Sequence, residues 1–162
     1  MLGALSDAAY VPSHAKPGIR HEYTYAYGAV DACTGHLDSL ILPHVNTHCM
    51  QLFLNEISSR HPDKRIVMVI DGARWHRSGM LKAPDNIYLL KLPPYAPELN
   101  PVEHVWDELR EKYFHNRVFG SLDALEDQLA LGLKTLEQNP ETVRTIVSWD
   151  WIVCSLITSF ME

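Results

Sequence analysis

The sequence holds no run of about eighteen consecutive apolar residues, the length a helix needs to cross a bilayer core. A spanning helix is excluded, and no membrane partner is expected. A basic start followed by an apolar stretch and a small-residue cleavage site is also missing, so no secretory signal is read. Cysteine is sparse: Cys33, Cys49 and Cys154 form an odd set without paired spacing. They read as reduced thiols in a cytoplasmic protein, most simply as small buried side chains. A zinc site at His44, His48 and Cys49 is discounted, because no second ligand pair of matching spacing exists. Positive charge is short as well. Fourteen Lys and Arg face twenty Asp and Glu, giving a net charge of −6 with histidine neutral. Gripping nucleic acid by charge alone needs the reverse. The balance still permits a nucleic-acid enzyme, since carboxylates gathered at a metal site add negative charge and a separate basic domain can supply the grip. No internal repeat or low-complexity tract is found.

What is present suits one domain. The 162 residues are 46% hydrophobic and 21% charged, ordinary values for a chain with a sizeable core. Residues 1–20 are weakly patterned, broken by Pro12, Pro17 and Gly18, and read as a loosely held arm. The folded core is expected over 21–162. His21–Val30 (HEYTYAYGAV) carries Tyr23, Tyr25 and Tyr27 at period two, a strand signature. Residues 31–35 make a turn, and His36–Leu42 (HLDSLIL) returns, so a β-hairpin is expected. Asn46 or Thr47 can cap a helix whose apolar face is Met50, Phe53, Leu54 and Ile57, closed by Pro62.

Arg65–Asp71 (RIVMVID) is nearly unbroken apolar, as in a central strand buried on both faces. Ile87–Leu92 is a second such strand. The segment 72–86 between them is long enough for a helical crossover, so the pair can be parallel. Residues 93–101 (PPYAPELNP) hold four prolines and exclude helix or central strand. Pro101 suits the first turn of a helix capped by Asn100, with Val102, Val105, Trp106, Leu109, Tyr113 and Phe114 as its stripe. Helices are also expected over Ser121–Leu136 and Pro140–Phe160. Trp149 and Trp151 read as core anchors of the last one, or as a partner surface. The order describes an α/β fold: a mixed sheet, hairpin first and parallel strands after, flanked by helices.

Two carboxylates stand where chemistry is possible. Asp71 closes the most hydrophobic strand, at the end where open α/β sheets place ligands. An ionised Asp there is costly unless a cation or donor meets it. Glu103 lies in the first turn of the post-proline helix, where the helix dipole favours it. Together they can share Mg²⁺, which takes a few carboxylates plus water and phosphate oxygens. Each also has a plain structural reading, as a turn cap and as a dipole partner. Asp31 and Asp38, flanking the hairpin, read as turn and surface residues. Asp107, Glu108 and Glu111 alternate with Arg110 and Lys112, a solvated helix face.

Two blocks carry a family resemblance: VMVIDGARWHRS at 67–78 and LPPYAPELNPVEHVWDELR at 92–110. Both resemble the mariner-type DDE transposases, in their bacterial insertion-sequence branch. The likeness spans roughly residues 21–135. It implies a ribonuclease-H-like fold and divalent-metal-dependent DNA cleavage and strand transfer with Mg²⁺ or Mn²⁺. Asp71 falls on the family's second catalytic carboxylate and Glu103 on the third. The partners implied are transposon-end and target DNA. His76, in the family's Trp-His pair, is read either as support for the site or as a loop-bonding residue.

The family's first Asp, usually followed by Glu on an initial strand, has no plain counterpart. Asp7 is the only acid before Glu22. The sequence therefore reads as a core without its first strand, and without the family's DNA-reading helix-turn-helix region. Losing that strand would leave the edge of residues 65–71 unpaired, to be covered by the N-terminal arm or by a second chain, and a homo-oligomer is expected. Two alternatives follow: an inactive fragment that folds and self-associates, or another ribonuclease-H-type nuclease that uses Asp7.

Overall fold

The computed structural model of the chain describes residues 2–5, 9–10, 23–70, 81–91 and 100–148. Short apolar runs become strands, and longer stretches of period 3.6 become helices. In chain order these are β1 (Leu2–Leu5), β2 (Ala9–Tyr10), β3 (Tyr25–Asp31), β4 (Leu37–Leu42), α1 (Thr47–Arg60), β5 (Ile66–Ile70), β6 (Ile87–Lys91), α2 (Val102–Leu109), α3 (Leu122–Glu137) and α4 (Pro140–Val147). A π-helical turn, Arg110–Phe114, continues α2.

β3 and β4 form the expected hairpin, with Tyr25 opposite Leu42 and Val30 opposite Leu37. Asp31 builds its turn by accepting from the Cys33 and Thr34 amides through Oδ1. Gly35 closes it at φ +74°, a conformation without Cβ penalty only for glycine. Since β4 runs the whole of one edge of β3, the other edge takes the N-terminal segment. β1 pairs there antiparallel over Ala29–Asp31, and β2 over Tyr25–Ala26. The two registers differ by one residue: from Leu5 to Ala9 is four steps, while their partners Ala29 and Ala26 are three apart.

The N-terminal expectation is corrected here. β1 is no part of a loose arm. It is an interior strand, flanked by β3 and by β5, which it pairs in parallel from Leu2 opposite Val67 to Leu5 opposite Ile70. The initial strand read as missing is therefore in place. Its four residues, with Gly3 and Ala4, gave little signal because an interior strand need not alternate. Val67–Ile70 are paired with β1, so the open edge expected there, the ground for a dimer, is filled. β6 continues the parallel run on the far side of β5, so the strand order is β4, β3, β1, β5, β6.

Each face of the sheet carries helices. α1, capped by Asn46 whose Oδ1 accepts from the Cys49 amide at 2.8 Å, lays Cys49, Met50, Phe53, Leu54 and Ile57 on Tyr27, Ala29, Ile66, Met68 and Ile70. Each such apolar side chain buried contributes about 1.5–3 kcal/mol. The opposite face takes Val102, Val105, Trp106 and Leu109 of α2 against Ala26, Val30 and Leu37, with α3 lying against β4 and α4 against α2 and α3. β5 differs slightly from expectation: Ile66, Met68 and Ile70 are buried, but Val67 and Val69 only half-buried. α4 is shorter than the sequence suggested. It stops at Val147, where Ser148 leaves helical geometry (ψ 73°) and its Oγ donates to the Ala32 carbonyl at 2.5 Å. Trp149, Trp151 and Cys154 lie outside the described residues. Cys33 is exposed and Cys49 buried, both free thiols. Among the described residues no helix is long and apolar enough to cross a membrane.

Candidate active site beside the carboxyl ends of the central strands

The site is framed by a row of paired residues. Ala29 of β3, Leu5 of β1 and Ile70 of β5 lie side by side across the sheet. β1 and β5 run in the same direction and end together on this row. β3 runs against them, so Gly28 is one step beyond the row, on the side toward which both parallel strands point. α2 begins over that step. A Cβ placed on Gly28 would lie 3.3 Å from Val102 Cγ2 and 2.7 Å from Trp106 Cη2. The absent side chain is what lets the first turn of α2 approach the sheet so closely.

Glu103 follows Val102 in that first turn and is half-buried. The turn is held by Asn100, which is fully buried. Its carbonyl accepts from the Glu103 amide at 3.1 Å, and its Oδ1 accepts from the Val102 amide at 3.4 Å. The N-cap position itself is Pro101, without a side-chain cap, so Asn100 braces the turn from one residue earlier than expected. The positive end of the α2 dipole favours the ionised form of a carboxylate there. Asp71 is the residue directly after Ile70, and Asp7 the second after Leu5. Asp71, Asp7 and His76 lie outside the described residues, so their side-chain positions are not part of this geometry.

Farther along α2 the charges face water, as the sequence indicated. Arg110 pairs with Asp107 and Lys112 with Glu108. The hydrogen bond that Lys112 donates to Glu108, foremost, holds its ammonium above the ordinary range. At the hairpin, His44 and His48 are exposed while the neighbouring Cys49 is turned into the core.

One group went unread in the sequence. Asp38, expected on the surface, is only 5% exposed. It sits on the α1 face of β4 and meets Arg60 and His61 at the end of α1, with His36 beside it. The sequence offered only the strand spacing of His36 and Asp38, two apart on one face. The third member comes from twenty-three residues away and had no local signal.

The chain matches the DDE superfamily endonuclease family over residues 9–126. It is 37% identical over 130 residues to the uncharacterized protein y4pE/y4sA of Sinorhizobium fredii, covering 80% of this chain and 96% of that one. Among solved structures, its fold is similar to the Mos1 strand transfer complex, with TM-score 0.56 and 13% identity, over 91% of this chain. This chain spans only 55% of that Mos1 chain. The catalytic core domain of BIV integrase is similar at TM-score 0.51 and 17% identity, covering 83% of this chain and 81% of that domain. These likenesses fix the fold as ribonuclease-H-like, the arrangement the strand order also describes. The match over most of its length makes this chain a member of the DDE superfamily endonucleases.

Proposed function

We propose that this chain is the catalytic domain of a DNA transposase, cutting phosphodiester bonds and transferring strands between transposon-end and target DNA. One observation carries the reading. β1 and β5 are parallel neighbours that end on the same row, and α2 starts one step beyond it. Asp71 follows β5 by one bond, about 3.8 Å between Cα atoms. Asp7 follows β1 by two. Strands lie about 4.8 Å apart, so the ends of β3, β1 and β5 span on the order of 10 Å. Glu103 enters from above that span. We assign Asp71 and Glu103 as the metal-holding carboxylates, and Asp7 as the first of the set.

The donor set suits the ion the family implies. It is carboxylate oxygen throughout, the hard ligand type that Mg²⁺ or Mn²⁺ takes. When bound, such ions supply Lewis-acid activation of the attacking hydroxyl and neutralise charge on the leaving oxygen. The chain's own residues do the rest. Asn100 fixes the turn that carries Glu103. β5, buried at Ile66, Met68 and Ile70, ends level with β1 on the shared row. With a net charge of −6, DNA must be gripped by charge outside this fold or by localised basic positions.

The test is nicking of supercoiled plasmid in Mg²⁺ or Mn²⁺. Asp71→Asn and Glu103→Gln should each slow it more than about a hundredfold, the scale of losing a group that stabilises transition-state charge. Their melting temperatures should stay near that of the parent. Equal nicking by parent and Asp71→Asn proteins would remove Asp71 from the reaction. If Asp7→Asn alone were fully active, the nuclease reading that needs Asp7 would go as well.

A further inference from the structure

Three side chains on the face of the sheet opposite α2 converge without a role in that reaction. His36 immediately precedes β4, Asp38 is the second residue of β4, and His61 ends α1. One ligand atom from each lies within 4.8 Å of the other two. The two oxygens of the buried Asp38 carboxylate have different neighbours. Oδ1 accepts from Arg60 Nη1 at 3.2 Å. Oδ2 faces both imidazoles, with His61 Nε2 at 2.8 Å and His36 Nε2 at 3.4 Å. The rings meet edge to face, centroids 5.3 Å apart.

A hydrogen-bonded network explains part of this. Asp38 can accept from His61 and Arg60 and be satisfied. It does not explain His36. Its Nε2 is buried and makes no hydrogen bond among the described residues, although the ring is half exposed. A buried polar atom left so costs about 1–3 kcal/mol unless something else meets it. A cation does. Two imidazole nitrogens and one carboxylate oxygen are the donor set of a zinc site with water in the fourth position. Donors about 2.0–2.2 Å from a tetrahedral ion lie about 3.3 Å apart; the two Oδ2 separations, 2.8 and 3.4 Å, lie on either side of that value, and the two histidine donors lie within 4.8 Å of each other. Arg60 then acts as the outer partner, holding Oδ1 so that Oδ2 turns to the ion. Glu56, bonded to Arg60 at 2.8 Å, offsets the added charge.

We propose that His36, Asp38 and His61 form a zinc site that ties the start of β4 to the end of α1. It is separate from the carboxylates of the reaction. Asp38 lies on the α1 face of the sheet, whereas α2 and Glu103 are on the other. The donors also differ in kind, imidazole nitrogen against oxygen alone, so Mg²⁺ should not substitute. The half-exposed edge of His36 gives the ion a way in.

The experiment uses the whole chain, purified without chelator and then titrated with Zn²⁺ after metal removal. We expect roughly one Zn²⁺ per chain, a melting temperature that falls on chelation and recovers with Zn²⁺ but not Mg²⁺, and visible absorption bands of tetrahedral Co²⁺ on cobalt substitution. His36→Gln, at a half-exposed position that should not unfold the protein, should weaken zinc binding by at least about tenfold. His44→Gln should leave it unchanged. Zinc retained equally by the His36→Gln protein would overturn the proposal. So would a parent chain whose melting temperature is the same with Zn²⁺ and with chelator.

Discussion

Two glycines carry more of this fold than their size suggests. Gly35 sits at φ +74°, and a Cβ there would lie 1.9 Å from the Pro140 carbonyl oxygen. Both the backbone and the neighbour forbid a side chain. Gly35→Ala should cost more than about 2 kcal/mol, read as a lowered denaturant midpoint. An unchanged midpoint would mean that the turn and α4 do not meet as described. Gly28 has an ordinary φ, so its role is space alone. Gly28→Ala must push against Trp106, which is buried in one core cluster with side chains of α3 and α4. A loss of about 1–3 kcal/mol is expected from overpacking. Because Val102 is touched as well, the turn bearing Glu103 should shift. Nicking should fall further than stability alone explains, and parallel losses in both would argue against that coupling.

At the scale of elements, the caps set where helices start. Asn46 bonds the Cys49 amide and Ser121 bonds the Ala124 amide at 3.2 Å. Asn46→Ala should destabilise the protein by about 1 kcal/mol, with Asn46→Ser recovering most of it in chemical denaturation. A Ser variant no better than Ala would show that Asn46 acts by something other than capping. These starts were legible in the sequence, since a polar cap ahead of an apolar face of period 3.6 is a local pattern. Helix ends were less so. The periodicity of residues 140–160 outlasts α4, which Ser148 stops by bonding to Ala32, more than a hundred residues away. Nothing near Ser148 in the chain announces that partner.

At the scale of the molecule, β1 decides the sheet. It is flanked by β3 on one side and β5 on the other, so removing it opens two edges at once. Deleting residues 1–10 should abolish the cooperative thermal transition and leave the chain aggregation-prone. A deleted protein that melts like the parent would make β1 peripheral and end the reading of Asp7 as a site residue. The pairing also removes the reason for an edge-to-edge dimer through residues 65–71. Among the described residues, the outer strands of the sheet are instead β4 and β6, with the short β2 beside β1 on the edge of β3.

By itself the sequence determined what depends on neighbours along the chain. The hairpin, the parallel pair β5 and β6, the capped helices, and the family blocks around Asp71 and Glu103 were all readable there. Only the tertiary structure decided which strand fills the middle of the sheet, because pairing is between distant segments and a four-residue interior strand carries almost no periodic signal. It alone brought Asp38, His61 and His36 together, since hydrogen-bond and ligand geometry are set by packing of α1 on β4. It alone showed why position 28 has no side chain: the first turn of α2 occupies the space one would need.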